Sequence, residues 1–305
     1  MEATDWNEEV YLLGVPALAD YVDYVRNKTI DGRDARESTL IAEWLAADAL
    51  FARERDSEPD IADDCEVREL PAAMRPLIQH VLADPCFTRG FDNLAVAFGM
   101  VELDRLVVFQ KDITRDHGLR LQNSLGATPS EQQLFELCLP YRRERPKVRM
   151  SCAGPRKYVF NSESTDLRFL GASLVPDIEL PGMAPAGLLA GTLGLMVGMG
   201  PNYMNVVRNG KRMVLNEGYH RAYALRAMGI THAPCVIQSI SHNAEIAFAG
   251  GGELIDNAER LFHQPRPPIL RDFFDPLKTK VLRTPKMRRQ IQITFEVETL
   301  TIPYD

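Results

Sequence analysis

Cysteine is scarce in this chain: Cys65, Cys86, Cys138, Cys152 and Cys235 are five among 305 residues. The number is odd, the spacing wide and no Cys-x-x-Cys occurs, which excludes a disulfide scaffold and a dithiol redox motif. His232 and Cys235 stand three apart, but a structural zinc site needs four ligands, usually as two close pairs, and no companion pair lies nearby. Burial as a small apolar side chain is the expected role of Cys235. The start of the sequence has no basic segment followed by an apolar core. With unpaired thiols, this gives a cytoplasmic expectation.

Charge is missing between Glu179 and Arg208, which raises a membrane span as a reading. Pro181, Gly182, Pro185, Gly187, Gly191, Gly194, Gly198, Gly200 and Pro201 interrupt that run and are costly in an isolated helix. A helix, a buried strand and a glycine-rich loop are expected there, with no passage through a membrane. An excess of basic charge is also absent. The net charge of −7 argues against sequence-independent nucleic-acid binding, which needs Lys and Arg to neutralise phosphates. A local surplus runs from Arg271 to Arg289 and suits either a solvated surface or an acidic partner such as nucleic acid. Internal repeats and low-complexity tracts are lacking as well.

What is present is the composition of a soluble globular protein, 45% hydrophobic and 25% charged, long enough for one large domain or two ordinary ones. Residues 1–95 read as a helical extension. Leu40, Trp44, Ala47 and Phe51 follow Ser38-Thr39 at helical spacing, and Pro71 opens a second helix carrying Met74, Leu77, Ile78, Val81 and Leu82. From 96 to 245 the period changes. Ala97–Val101, Leu106–Phe109, Lys157–Phe160 and Arg168–Leu170 read as strands, Gln132–Cys138 as a helix begun by Thr128-Pro129-Ser130-Glu131. Residues 246–305 form a C-terminal extension with a helix at Glu253–Phe262 and an alternating strand at Gln290–Glu298. The fold class expected is mixed α/β.

The most informative stretch lies around Glu217-Gly218-Tyr219-His220-Arg221. Asn209-Gly210 between Val206-Val207 and Arg212–Leu215 is a hairpin signal. Gly218 then opens a helix-forming run, Gly229 is placed to stop it, and Ala233–Ile237 reads as the next strand. A glycine at a helix start lets backbone N–H groups approach an anion, and Arg221 adds a forked donor in the first turn. The other role for these two residues is a tight strand–helix turn with Arg221 paired to an acid.

This segment resembles the Glu/Asp-Gly-x-His-Arg stretch of the ParB/sulfiredoxin-like fold. The strand and turn from Val101 to Gln110 are similar to the opening of the same fold, so the resemblance covers about residues 96–242. It implies a core in which Gly218 and Arg221 hold nucleotide phosphates, with Tyr219 and His220 beside them. It implies an early-strand carboxylate as base, for which Glu102 and Asp104 are candidates, and a polar residue near the nucleotide, Gln110. The implied ligand is a nucleoside triphosphate, ATP or CTP, with Mg²⁺. Partition proteins carry Gly-Glu-Arg-Arg in the first turn and a helix-turn-helix after the core, and neither is found here. Sulfiredoxins have cysteine after the glycine, where this chain has Tyr219.

Each candidate has a second reading. His220 fits a phosphate donor or proton carrier, and equally a packed, hydrogen-bonded ring. Glu217 fits a metal ligand or catalytic base, and equally an acceptor for backbone donors. Glu102 also fits a surface role. Gly198 and Gly200, followed by Asn202, form a second candidate anion loop or a plain turn. Three functions are therefore in view: a nucleotide-binding NTPase or phosphotransferase, a non-catalytic nucleotide sensor or protein-interaction module, and a nucleic-acid-binding protein or nuclease. The sequence leaves the oligomeric state open.

Overall fold

A computed structural model describes residues 5–142, 146–164, 166–175, 187–250 and 252–303. The fold is mixed α/β, and the chain forms two compact units. The first comprises residues 1–142 and 202–286, the second residues 143–201 and 287–305. The units thus divide the chain elsewhere than at 95/96 and 245/246, because pairings distant in sequence join both ends of the first unit.

The first unit opens on a strand, β1 (Trp6–Leu12), a departure from the all-helical expectation for residues 1–95. Helices α1 (Leu18–Lys28) and α2 (Glu37–Ser57) follow, and α2 buries Leu40, Ala47 and Phe51 along one stripe. Next come β2 (Val67–Arg68), α3 (Ile78–Leu82) and α4 (Pro85–Gly90). The Pro71 segment makes turns up to Leu77, so the helix expected from Pro71 shrinks to α3. Strands β3 (Ala95–Glu102) and β4 (Asp112–Thr114) precede α5 (Arg115–Leu125) and α6 (Glu131–Cys138). A reciprocal cap between Ser130 and Gln133 fixes the start of α6. Leu106–Phe109 makes no regular strand: Val107 bridges Val214 and Ile269 singly.

In the second unit β5 (Arg149–Gly154) and β6 (Lys157–Ser162) form a hairpin, and β7 (Leu167–Val175) pairs with β8 (Thr192–Met199). The strands expected at 157–160 and 168–170 are therefore present in different sheets. Described residues 187–199 hold β8 and no helix, while Pro181, Gly182 and Pro185 lie outside the described residues. No helix among the described residues is long and apolar enough to cross a membrane.

The chain returns to the first unit through β9 (Asn205–Asn209), β10 (Arg212–Glu217), α7 (Tyr219–Ala227) and β11 (His232–Ile240). Short helices α8 (Ile246–Ala249), α9 (Gly252–Asp256) and α10 (Ala258–His263) lead to a 3-10 turn at Leu270–Phe274 and to β12 (Thr279–Pro285). Last is β13 (Arg289–Thr294), which pairs with β6 in the second unit and ends before Glu298.

The main sheet has the order β10-β9-β11-β3-β2, with β9 and β11 parallel and the other neighbours antiparallel. A smaller sheet, β12-β1-β4, joins the two ends of the sequence. Val10, Leu12 and Ile113 point from it into the core shared with Val101, Leu215, Leu225 and Phe135. Tyr11 and Leu282 pack with Tyr21, Val25 and Leu40 of α1 and α2.

A buried ion network ties α2 to the 3-10 turn. Arg266 grips Asp272 with two nitrogens, at 3.0 and 2.8 Å, and reaches Glu54 at 2.7 Å. Lys278 contacts Asp272 at 2.8 Å and Glu54 at 2.5 Å. Side-chain exposure is 0% for Arg266, 1% for Asp272 and 3% for Lys278. Burial alone would raise the Asp272 pKa, but the bonds from Arg266 and the charge of Lys278 outweigh it and hold the carboxyl below its usual range. Removing one partner of such a set leaves a buried charge uncompensated. Arg266→Met should lower the free energy of unfolding by about 3–5 kcal/mol. Arg283→Met, which breaks the exposed pair with Asp31, should cost less than about 1 kcal/mol. Urea unfolding of both variants checks this, and equal small losses would contradict it.

Candidate functional site

The hairpin β9–β10 forms with Gly210 at φ +59° in the turn, as Asn209-Gly210 predicts. At the far end of β10 the register shifts between Leu215 and Glu217, both facing the end of β9. Asn216 is the extra residue, and its amide donates to the Ala249 carbonyl at 2.9 Å. This bulge bends the strand into α7. Gly218 sits at the junction with φ +106°, in the left-handed region open to glycine. A Cβ there would stand 2.8 Å from Met204 Cγ, so packing demands glycine independently of any ligand.

The side chains after Gly218 turn inward. The Tyr219 hydroxyl donates to the Leu215 carbonyl at 2.6 Å and accepts from the Phe109 N–H at 3.2 Å. Burial pushes its pKa up, so it stays a phenol. His220 Nε2 accepts from the Thr114 N–H at 3.1 Å, which places the proton of the neutral ring on Nδ1. Burial, with the nearby charges of His117 and Arg221, lowers the His220 pKa from 6.5 to about 4. At neutral pH this ring is a packed acceptor, and the proton-carrier role drawn from the sequence finds no support in its surroundings.

Arg221 is buried. Its Nη1 donates to the carbonyls of Asn202 at 2.7 Å, Cys138 at 3.2 Å and Leu137 at 3.3 Å, and Nη2 donates to Asn202 Oδ1 at 2.9 Å. The guanidinium therefore lies at the C-terminal end of α6, where the helix dipole favours a cation. The sequence candidates Arg221 and Asn202 do meet, through a protein–protein hydrogen bond.

The remaining candidates disperse. Gln110 donates to the Asp112 carbonyl. Glu102 lies on β3, three inter-strand steps from β10, or roughly 14 Å at the usual spacing of about 4.8 Å. Its carboxylate accepts from the Glu66 N–H at 3.1 Å and stands 3.4 Å from Arg105. Asp104 pairs with Arg226 at 2.8 Å. Gly198 lies in β8, and the Gly200 N–H donates to the Asp166 carbonyl at 3.2 Å; both belong to the second unit. Glu217 stays beside the turn. Among the described residues no three His, Cys, Asp or Glu side chains gather as a metal group.

Glu9 is the residue that sequence reasoning missed. It is 7% exposed on β1, with Oε1 accepting from the Thr114 hydroxyl at 3.0 Å and the Thr284 hydroxyl at 3.3 Å. Its Oε2 has no hydrogen-bond partner among the described residues. Burial, then the charge of Asp112, raises its pKa from 4.5 to about 7. Thr114 thus links Glu9 to His220. The only local signal is an acid next to the apolar run Val10-Tyr11-Leu12, since Trp6–Leu12 shows no apolar–polar alternation.

The basic surplus from Arg271 to Arg289 is largely absorbed internally. Arg271 pairs with Glu58, Lys278 with Asp272 and Glu54, Lys280 with Glu43, and Arg283 with Asp31.

No family model matches this chain, and neither curated proteins nor solved structures give a match.

Two expectations follow. Arg221→Ala leaves buried carbonyls and Asn202 without their donor, so it should lower unfolding stability by at least about 1–3 kcal/mol before any ligand is considered. Unchanged urea unfolding would refute the bridging role. Glu9 holds its proton more tightly folded than unfolded, so its contribution is full below pH 4.5 and lost as pH rises through about 7. His220 acts with the opposite sign: its contribution is full above pH 6.5 and lost as pH falls through about 4. Glu9→Gln should therefore gain on the wild type between pH 5 and pH 8, by up to about 3 kcal/mol. Urea midpoints at those two pH values measure it, and a pH-independent difference would show that Glu9 does not titrate there.

Proposed function

We propose that this chain is a nucleotide-binding protein, of ParB/sulfiredoxin-like type, that holds phosphate at the first turn of α7 and senses its ligand without turning it over. The observation that carries the reading is Gly218. Its left-handed conformation opens α7 from an N-cap that has no side chain of its own, the arrangement in which backbone N–H groups take an anion. The ligand class is a nucleoside triphosphate, ATP or CTP, with Mg²⁺ arriving on its phosphates.

The non-catalytic form of the reading is favoured by what surrounds the turn. His220 is neutral and engaged, Arg221 is bound to carbonyls, and Glu102 lies across the sheet. Phosphoryl transfer needs positioning and charge neutralisation together, and of the candidate carboxylates Glu217 adjoins the turn whereas Glu102 lies across the sheet. The nucleic-acid reading loses the support of the 271–289 basics, since four of them pair with acids of the same chain.

Isothermal titration with ATP and CTP, each with and without Mg²⁺, tests the proposal alongside a phosphate-release assay. One nucleotide should bind and raise the melting temperature; at a hundred times its dissociation constant the gain is about 2.7 kcal/mol. Glu217→Gln should leave that binding within a few fold, with no phosphate released by either protein. Failure of both nucleotides to bind would overturn the reading. Phosphate release by the wild type that Glu217→Gln abolishes would replace the sensor with an enzyme.

A further inference from the structure

Away from its first turn, α7 presents a second face. Tyr223 and Arg226 stand three apart on it, opposite Arg115, Leu119 and Gln122, which share one face of α5 at the spacing i, i+4, i+7. Phe274, at the end of the 3-10 turn, closes the third side. These side chains line an open cleft of about 310 Å³, at the small end of ligand sites. Its lining mixes apolar side chains, Leu119, Tyr223, Ala227 and Phe274, with the polar Arg115, Gln122 and Arg226. Tyr223 and Phe274 stack with centroids 4.7 Å apart and planes 16° from parallel, and Arg226 lies over Phe274 at 4.5 Å.

The rim is rich in donors. Arg115 uses Nη1 for Glu8 at 2.8 Å, and Arg226 uses Nε and Nη2 for Asp104 at 2.8 and 3.4 Å. Among the described residues nothing accepts from Arg226 Nη1 or from Arg115 Nε and Nη2, and the Tyr223 hydroxyl makes no hydrogen bond. Side-chain exposure of 47% for Arg115 and 34% for Arg226 leaves both forks reachable from the cleft. Glu8 and Asp104 already balance the two guanidinium charges. A polyanion would therefore meet no net positive field, whereas a single carboxylate can take the remaining N–H donors in charge-assisted bonds.

We propose that the α5–α7 cleft binds a small aromatic carboxylate, its ring against Tyr223, Phe274 and Leu119 and its carboxylate on Arg115 and Arg226. The site is separate from the first turn of α7, so it stands or falls independently of nucleotide binding.

Benzoate is the probe, with benzamide as its uncharged counterpart of the same shape, read by saturation-transfer NMR and titration on the full chain. Benzoate should bind with a dissociation constant of about 1 mM or below, a reasonable limit for nine heavy atoms. Benzamide should bind at least about tenfold more weakly, the loss of one charge-assisted hydrogen bond. Leu119→Trp fills the cleft from a position that is 44% exposed and should abolish benzoate binding without disturbing the fold. Arg226→Gln should weaken it about tenfold or more. No benzoate binding to the wild type, equal binding of benzamide, or full binding to folded Leu119→Trp would each overturn the proposal.

Discussion

Three charged side chains that water barely reaches, Arg266, Asp272 and Lys278, set the positions on which the first unit depends. Moving such charges out of water costs several kcal/mol each, and only close pairing offsets it. Glu54 and Glu58 arrive from α2 and the Ile269 N–H adds a donor to Asp272 at 2.9 Å, while Arg266 Nε stands 3.4 Å from Glu58 and makes no hydrogen bond among the described residues. A slip of one residue in the segment from 266 to 278 would strand the Asp272 carboxylate. The network therefore acts as a registration device. It fixes the 3-10 turn that carries Phe274 to the wall of the cleft, and it fixes the entry into β12, which pairs with β1 and thereby presents Glu9 to Thr114.

The same logic of internal use applies to Arg221. A guanidinium in the first turn of a helix looks like an anion clamp, yet here it donates to the last carbonyls of another helix. A helix end buried without partners is costly, and α6 ends on Cys138, a buried residue. Arg221 Nη1 and the Met204 N–H, which donates to the Cys138 carbonyl at 2.8 Å, resolve that end together.

How much of this was legible depended on range in sequence. The Asn209-Gly210 hairpin, the Ser130 cap and the Gly218 junction were readable because each rests on residues within a turn of one another. The strand β1 was not, since its partners on β12 lie about 270 positions away and it shows no apolar–polar alternation. Arg221 shows the limit inside the best motif: its residue type and place were right, but its acceptors at Leu137, Cys138 and Asn202 come from 84, 83 and 19 positions earlier. Leu106–Phe109 had the composition of a strand and became a single-bridge segment because β10 and Ile269 flank it without continuing the ladder. Asp272 lies among the 271–289 basics in sequence, yet its partners are Arg266 and Lys278, brought together by the turn between them.

That last point bears on what the molecule can bind. An acidic chain keeps a basic field only where cations are left without acids, and here Arg271, Lys280 and Arg283 reach across to Glu58, Glu43 and Asp31 on the N-terminal part. Arg115 and Arg226 are matched in the same way by Glu8 and Asp104. Long-range steering of a polyanion is weak under such matching, because each positive charge is cancelled within a few ångströms. Short-range recognition survives it, since a paired guanidinium still has donors to offer at hydrogen-bond distance. Such donors, on Arg115 and Arg226 beside the α5–α7 cleft, act only at contact distance.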